Sequence, residues 1–105
     1  MSDRRPTVVD MPDDGALIRE LELLATLSQS QIRAALDSVP ARAELVAFAL
    51  DEDVELRREA DLARDVDDEE TACHLEQEAA AWRATATALR RAGRRTAPDA
   101  GRRSA

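Results

Sequence analysis

Lysine and tyrosine are absent from this sequence, and cysteine, histidine, tryptophan and phenylalanine each occur once in its 105 residues. A single cysteine cannot form an internal disulfide, and a single histidine is too few for the common zinc or di-iron sites. No apolar run approaches the roughly 20 residues that a membrane span needs, and no signal peptide opens the chain. We therefore predict a cytoplasmic protein with no membrane association, no metal and no cofactor.

Alanine and leucine supply most of the apolar content, whereas the β-branched and aromatic residues that favour strands are few. This composition predicts an all-α fold, a small four-helix array dominated by a long antiparallel helical hairpin. We expect a disordered arm at 1–13, a single helical domain at 14–93 and a disordered basic tail at 94–105. So short a domain leaves much of its surface exposed, which favours self-association.

Two short helices are predicted in the first third of the chain. The first runs from Asp14 to Leu27, with an apolar arc wider than one neighbouring helix can cover. Ser28 and Gln31 have the spacing of a capping box, which opens a second helix. That helix ends between Asp37 and Pro40, because proline suits the first turn of the next helix but cannot continue this one.

Two long helices follow. The third runs from Pro40 to about Arg64, and its first half, 41–50, is apolar nearly all round, which predicts a central buried segment. The acidic stretch 65–70 predicts a turn and the cap of the fourth helix, which ends with Gly93 as a C-terminal cap. Six residues of this fourth helix are spaced alternately by three and four, as in the seam of an antiparallel helix pair: Ala72, Leu75, Ala79, Trp82, Ala86 and Leu89.

The neighbouring Cys73 and His74 do not form a convincing chemical site. Glu70 and Glu78 lie one helical turn on either side of His74, which permits a metal cluster, but the chain has no second histidine to complete one. We favour an exposed histidine with stabilising neighbours four residues away. Cys73 lies among carboxylates, and the adjacent His74 projects about 100° away around the helix, where it is poorly placed to act as a base. We therefore interpret Cys73 as a half-buried small apolar residue.

A ridge of alanines on the fourth helix predicts the approach of another helix, from the first helix or from a second subunit. Trp82 lies on the seam and can also anchor a dimer, since tryptophan is enriched at binding hot spots. The candidate protein-interaction residues are Leu23, Leu27, Ala81, Trp82, Ala84 and Ala88.

Nucleic-acid binding is the main alternative. Residues 28–50 have two helices and a short break, as in a helix-turn-helix, but Arg33 stands where a small residue is usual and Asp37 where a turn glycine is usual. From Arg90 onward, six arginines face one aspartate, so the tail carries about +5 within a chain of net charge −7. The candidate nucleic-acid contacts are Arg33, Arg42, Arg90, Arg91, Arg94 and Arg95.

The sequence has no glycine-rich phosphate loop, no nucleophile with a base and no metal-ligand set, so we predict that it is not an enzyme. The acidic run 51–70 is either a solvated helix face or a surface for a basic protein. The predicted function is that of a small acidic protein-binding adaptor or regulator that forms a homodimer and binds a further, unidentified protein. The alternative is a transcriptional regulator that uses 28–50 or the arginine-rich tail.

Overall fold

The computed structural model describes residues 12–96, which form four α-helices joined by short connections. They are α1 (Pro12–Leu24), α2 (Gln29–Asp37), α3 (Val39–Asp65) and α4 (Glu69–Thr96). No strand occurs within this range, and the predicted all-α fold with a dominant helical hairpin is confirmed. Most of the two predicted tails lies outside the described residues, but Pro12, Asp13 and residues 94–96 are helical.

Serine side chains begin the two middle helices as predicted. The Ser28 hydroxyl accepts a hydrogen bond from the Gln31 amide at 3.1 Å, and the Gln31 side chain accepts one from the Ser28 amide at 2.8 Å. This reciprocal pair is the capping box. Ser38 caps α3 by accepting from the Ala41 amide at 3.2 Å, and Pro40 lies in the first turn of that helix.

The acidic turn between α3 and α4 is fixed by its own backbone. Asp67 adopts a left-handed conformation with φ of 62°, and its amide donates to the Arg64 carbonyl at 2.9 Å. The Asp68 amide donates to the Ala63 carbonyl at 2.9 Å, which completes a Schellman motif. The Asp68 carboxylate then caps α4 by accepting from the Thr71 amide at 3.2 Å. The chain thus reverses within three residues and lays α4 against α3.

The hairpin packs through a seam of alanines. Five alanines along it are 0–1% exposed: Ala49 and Ala60 on α3, and Ala72, Ala79 and Ala86 on α4. Such small side chains let two helix backbones approach closely. The seam predicted on α4 is therefore confirmed. Of its three large members, Leu89 is fully buried, whereas Leu75 and Trp82 are only half-buried at its edge.

The short helices cover only one end of the hairpin. α1 packs on α4 and α2 packs on α3. The buried core cluster consists of Leu21, Leu27, Ile32, Ala35, Ala88 and Leu89. Four-helix packing is thus confined to what we call the bundle end. Residues 51–79 contribute nothing to that cluster or its partly buried periphery, and we call them the turn end.

Two polar contacts orient α1 along α4. The Thr26 and Thr85 hydroxyls lie 2.5 Å apart, and Arg91 Nη2 lies 2.9 Å from the Glu20 carboxylate. Thr26, just after α1, thus meets an earlier residue of α4 than Glu20 within α1 does, so the two helices are antiparallel. Thr85 is fully buried and its hydroxyl also donates to the Ala81 carbonyl at 2.9 Å.

The prediction that the first helix extends to Leu27 is wrong. The helix ends at Leu24, because Ala25 takes a left-handed conformation with φ of 56°. This turn brings Leu27 into the core at 8% exposure, whereas Leu23 stays 85% exposed.

Two predictions for the long helices are also wrong. Gly93 does not cap α4, which continues to Thr96; no described glycine has the positive φ that a glycine cap uses. Segment 41–50 is not uniformly buried: Ala49 is fully buried but Phe48 is 41% exposed. One long partner helix and two short ones do not surround α3, so part of its apolar arc stays uncovered.

Candidate protein-binding surface

A groove opens where α1 ends and α4 continues uncovered. It has a volume of about 360 Å³ and is lined by Leu24, Ala25, Thr26, His74, Gln77, Glu78, Ala81 and Trp82. The left-handed turn at Ala25 creates the groove, because it stops α1 before it covers Ala81 and the residues that precede it. Apolar side chains of α1 and α4 thus meet polar side chains from an earlier part of α4.

Trp82 forms the wall between this groove and the core. It packs against the buried cluster of the bundle end and is itself half-buried. Its ring meets that of Phe48 edge to face, with centroids 5.3 Å apart and an interplanar angle of 89°. Such an arrangement contributes about 0.5–1.5 kcal/mol beyond the area that it buries. Phe48 was not predicted as an interaction residue, and its contact with Trp82 arises only when α3 and α4 pair.

The apolar surface continues from this aromatic pair toward the turn. Leu75 precedes Trp82 by seven residues and Leu56 follows Phe48 by eight, so both leucines lie two helical turns farther along the same side. Both are half-buried. We call Phe48, Leu56, Leu75 and Trp82 the apolar side of the hairpin.

Carboxylates rim the apolar side on both helices. Glu52 and Glu59 lie on α3, four residues from Phe48 and three from Leu56, and Glu78 lies on α4 between Leu75 and Trp82. Glu52 is half-buried, and the other two are exposed. The rim therefore has one sign of charge.

The opposite side of the hairpin carries paired charges. The Asp53 side chain lies between the helices at 4% exposure. Its Oδ1 lies 3.1 Å from Arg57 Nε and its Oδ2 lies 3.3 Å from Arg83 Nε. This carboxylate therefore joins α3 to α4 by charged hydrogen bonds.

A second pairing on this side lies closer to the turn. Arg64 Nη2 lies 2.6 Å from the Glu76 carboxylate, and Arg64 Nε lies 3.5 Å from that of Glu69. The hydrogen bond to Glu76 raises the pKa of the Arg64 guanidinium above its usual value. We call Asp53, Arg57, Arg64, Glu76 and Arg83 the ion-pair side.

The structure divides the predicted interaction residues into two groups. Ala81 and Trp82 line the groove, and Leu23 is exposed next to the groove residue Leu24. Ala84 is partly exposed above a shallow depression near Glu20 and Arg91. Leu27 and Ala88, in contrast, lie in the core cluster. The alanine ridge is thus covered at Ala88 and remains open at Ala81.

His74 is exposed as predicted, with Nε2 3.7 Å from the Glu78 carboxylate. Cys73 is exposed rather than half-buried, because α4 has only α3 beside it at the turn end. Within the part of the chain that the structure describes, no three histidine, cysteine or acidic side chains are grouped as metal ligands. None of the four helices is long and apolar enough to cross a bilayer.

The arginines proposed for nucleic-acid binding occupy different environments. Arg33 and Arg90 are exposed, and Arg91 pairs with Glu20. Arg42 is only 9% exposed, and its Nε donates to the Ala35 carbonyl at 3.0 Å, so this side chain ties α3 to α2 instead of facing outward. Ser38 alone separates α2 from α3, unlike the three or four residues of a helix-turn-helix. Arg94 and Arg95 lie on the last turn of α4.

Comparison with known proteins identifies one family. Residues 10–96 match Chap-C, the TY-Chap C-terminal domain, and this span includes all four helices. No curated protein and no solved structure shows significant similarity to the chain. The matched residues make up most of the sequence, and the chain therefore belongs to the TY-Chap C-terminal domain family.

Proposed function

We propose that this chain is a chaperone-like, non-catalytic protein-binding domain, and that the groove beside Trp82 receives an apolar segment of a partner protein. The observation that carries the proposal is the half-buried Trp82, left uncovered on the groove side where α1 ends. Membership of the TY-Chap family supports a chaperone-like role. In that role the domain acts as an adaptor or regulator, since it holds a partner without transforming it.

The surroundings of the groove favour a protein partner. Leu23 is 85% exposed and directly precedes the groove residue Leu24 in the sequence. Phe48 is 41% exposed and contacts the groove residue Trp82. Exposed apolar patches with a polar rim are typical of protein-interaction sites. Self-association, which the small core also favours, is the competing occupant of the same surface.

Substitution of Ala81 tests the proposal. Ala81 lines the groove, whereas the adjacent Ala80 is exposed on another side of α4. Ala81→Glu and Ala80→Glu therefore add the same charge inside and outside the groove. The client is the insulin B chain released by reduction, which aggregates and contains no tryptophan. We expect the unmodified chain and Ala80→Glu to suppress light scattering at equimolar ratio and to shift Trp82 emission to shorter wavelength.

Ala81→Glu should bind the B chain at least about tenfold more weakly, because an unpaired carboxylate would be buried against an apolar segment. Far-UV circular dichroism verifies that both variants remain folded. Equal activity of the two variants would exclude the groove as the binding site, and no suppression by the unmodified chain would contradict the chaperone-like role.

A further inference from the structure

We propose that the partner segment is a basic amphipathic helix, which lies along the apolar side of the hairpin and forms a three-helix coiled coil with α3 and α4. This inference rests on the proposed function, because it specifies the chemistry of the partner that the same surface takes. It follows from the length of the uncovered surface, its apolar spacing and the sign of its rim.

The uncovered part of the hairpin has the length of a short helix. From Trp82 to the start of α4 at Glu69, the helix rises about 20 Å at ~1.5 Å per residue. An occupant of about 14 residues spans the same distance. α1 and α2 contribute no residue to the core along this length, so the position that a third helix would occupy is open on the apolar side.

The residues of the apolar side repeat at a spacing that matches the apolar anchors of a docked helix. Two helical turns beyond the aromatic pair Phe48 and Trp82, toward the loop between α3 and α4, lie Leu56 and Leu75. A helix packed on such a side presents anchors at positions i, i+3 or i+4, and i+7. The groove at Ala81 and Leu24 then receives the end of that helix next to α1.

Charge selects the occupant. Residues 51–79 contain 13 acidic residues and three arginines. All three arginines are engaged: Arg57 with Asp53, Arg58 with Glu55, and Arg64 with Glu76. Within residues 12–96, no ion pair involves Glu52 or Glu59 on the rim. A partner with arginine or lysine beside its apolar stripe complements this rim, and an acidic partner is repelled.

The acidic excess of the turn end disfavours a second copy of the chain in this position. Two turn ends side by side would bring the same acidic excess together, and close like charges oppose association. A separate basic segment meets both requirements of the surface, apolar anchors and positive flanks.

Trp82 provides the readout, because it is the only tryptophan and lies at the site. The probe is a 14-residue synthetic peptide with leucine at helical spacing and arginine elsewhere, without aromatic residues. Two controls share its length: one has glutamate in place of arginine, and the other has the same composition in scrambled order. We expect the basic amphipathic peptide to shift Trp82 emission and to bind at least about tenfold more tightly than either control at low salt, with affinity falling as salt rises.

Charge substitutions on α3 locate the peptide. The double variant Glu52→Gln, Glu59→Gln removes two rim carboxylates, and Asp51→Asn, Asp65→Asn removes two exposed carboxylates from another side of the same helix. Both change net charge equally. The rim variant should weaken binding of the basic peptide about three- to tenfold and the control variant less than about twofold, because electrostatic attraction falls with distance and is screened by salt.

The outcomes separate this inference from the proposed function. Equal binding of basic and acidic peptides, or equal effects of the two double variants, would overturn the inference while the B chain still reports a protein-binding groove. Trp82 emission that changes with protein concentration alone would identify a second copy as the occupant and would also overturn it. No response to any peptide or to the B chain would overturn both proposals.

Discussion

The Asp53 carboxylate lies between the two long helices, within a seam whose other buried residues are mostly alanines. Its two arginine partners, Arg57 and Arg83, have side chains that are 54% and 52% exposed. The aspartate is therefore removed from water, whereas both cations keep part of their hydration. A buried charge in such a position depends on its hydrogen bonds, because nothing else offsets its desolvation.

Replacement of Asp53 tests this dependence. We expect Asp53→Asn to lower the free energy of unfolding by about 1–3 kcal/mol, because a neutral amide accepts weaker hydrogen bonds and leaves a polar group buried. Asp51→Asn, at an exposed position two residues earlier, should change it by less than about 0.5 kcal/mol. Urea denaturation followed by circular dichroism measures both, and equal midpoints would show that the Asp53 ion pairs contribute nothing net.

The burial of Asp53 is not predicted by the sequence pattern. The sequence places it in an acidic run, which suggests a solvated face. The signal that locates it is the spacing of Ala49, Asp53, Leu56 and Ala60, by four, three and four residues, which places it on the seam. A charged residue at such a position is normally expected to face solvent. The arginine that pairs with Asp53 from α4 lies 30 residues away in the sequence, so the sequence pattern does not show the pairing.

At the scale of helices, the end of α1 has an unusual residue. Ala25 adopts φ of 56°, and its amide donates to the Glu22 carbonyl at 3.2 Å. A left-handed conformation costs a residue with a Cβ atom roughly 1–2 kcal/mol relative to a right-handed one, and glycine avoids this cost. The turn that opens the groove is therefore held by the packing of Leu27 in the core rather than by local preference.

Glycine substitutions at Ala25, just after α1, and at Ala16, within α1, test the origin of this turn. Ala25→Gly should raise the free energy of unfolding by up to about 1 kcal/mol, since relief of the conformational cost exceeds the added entropy of the unfolded chain. The same substitution at the exposed Ala16, inside α1, should lower it by about 1 kcal/mol. Opposite signs in thermal or urea unfolding support the left-handed turn; a loss of stability at both positions would contradict it.

Helix starts are predictable from this sequence, as is the end of α2 before Pro40, but the ends of α1 and α4 are not. Ser28 with Gln31, and Asp68 with Thr71, form caps between residues three apart, so the pattern contains both partners. The end at Ala25 depends instead on where Leu27 packs. At Gly93 the residue type suggests a cap, yet the helix continues through it.

At the scale of the whole molecule, packing is unequal along the hairpin. The bundle end combines four helices around Leu21 and Leu89, which are fully buried. The turn end has two helices, and its fully buried apolar residues are alanines, among them Ala60 and Ala72. Local stability follows the apolar contacts that must be broken, so the two ends should open with different free energies.

Amide hydrogen exchange measures this difference. We expect amides near Ala60 and Ala72 to exchange at least about tenfold faster than those near Leu21 and Leu89, because fewer contacts hold the turn end. The basic amphipathic peptide should slow exchange at the turn end far more than at the bundle end. Uniform protection along α3 and α4 would show that the hairpin opens as one unit, contrary to this expectation.

The groove is a property of the assembled molecule, and the sequence indicates only half of it. Ala81 and Trp82 are recognisable on α4 from helical spacing alone. Leu24 and Phe48 join them from other helices, and their positions depend on where α1 ends and how α3 pairs with α4. Spacing within one helix reports which side an individual residue faces, but not where a neighbouring helix stops covering it.

The alanine seam has a consequence for how the fold responds to temperature. The heat-capacity increment of unfolding grows with the apolar surface that unfolding exposes, and a buried alanine exposes little. A hairpin whose centre is five alanines therefore has a smaller increment than a leucine-centred hairpin of equal length. Its free energy of unfolding then curves less steeply with temperature, so its maximum is broad.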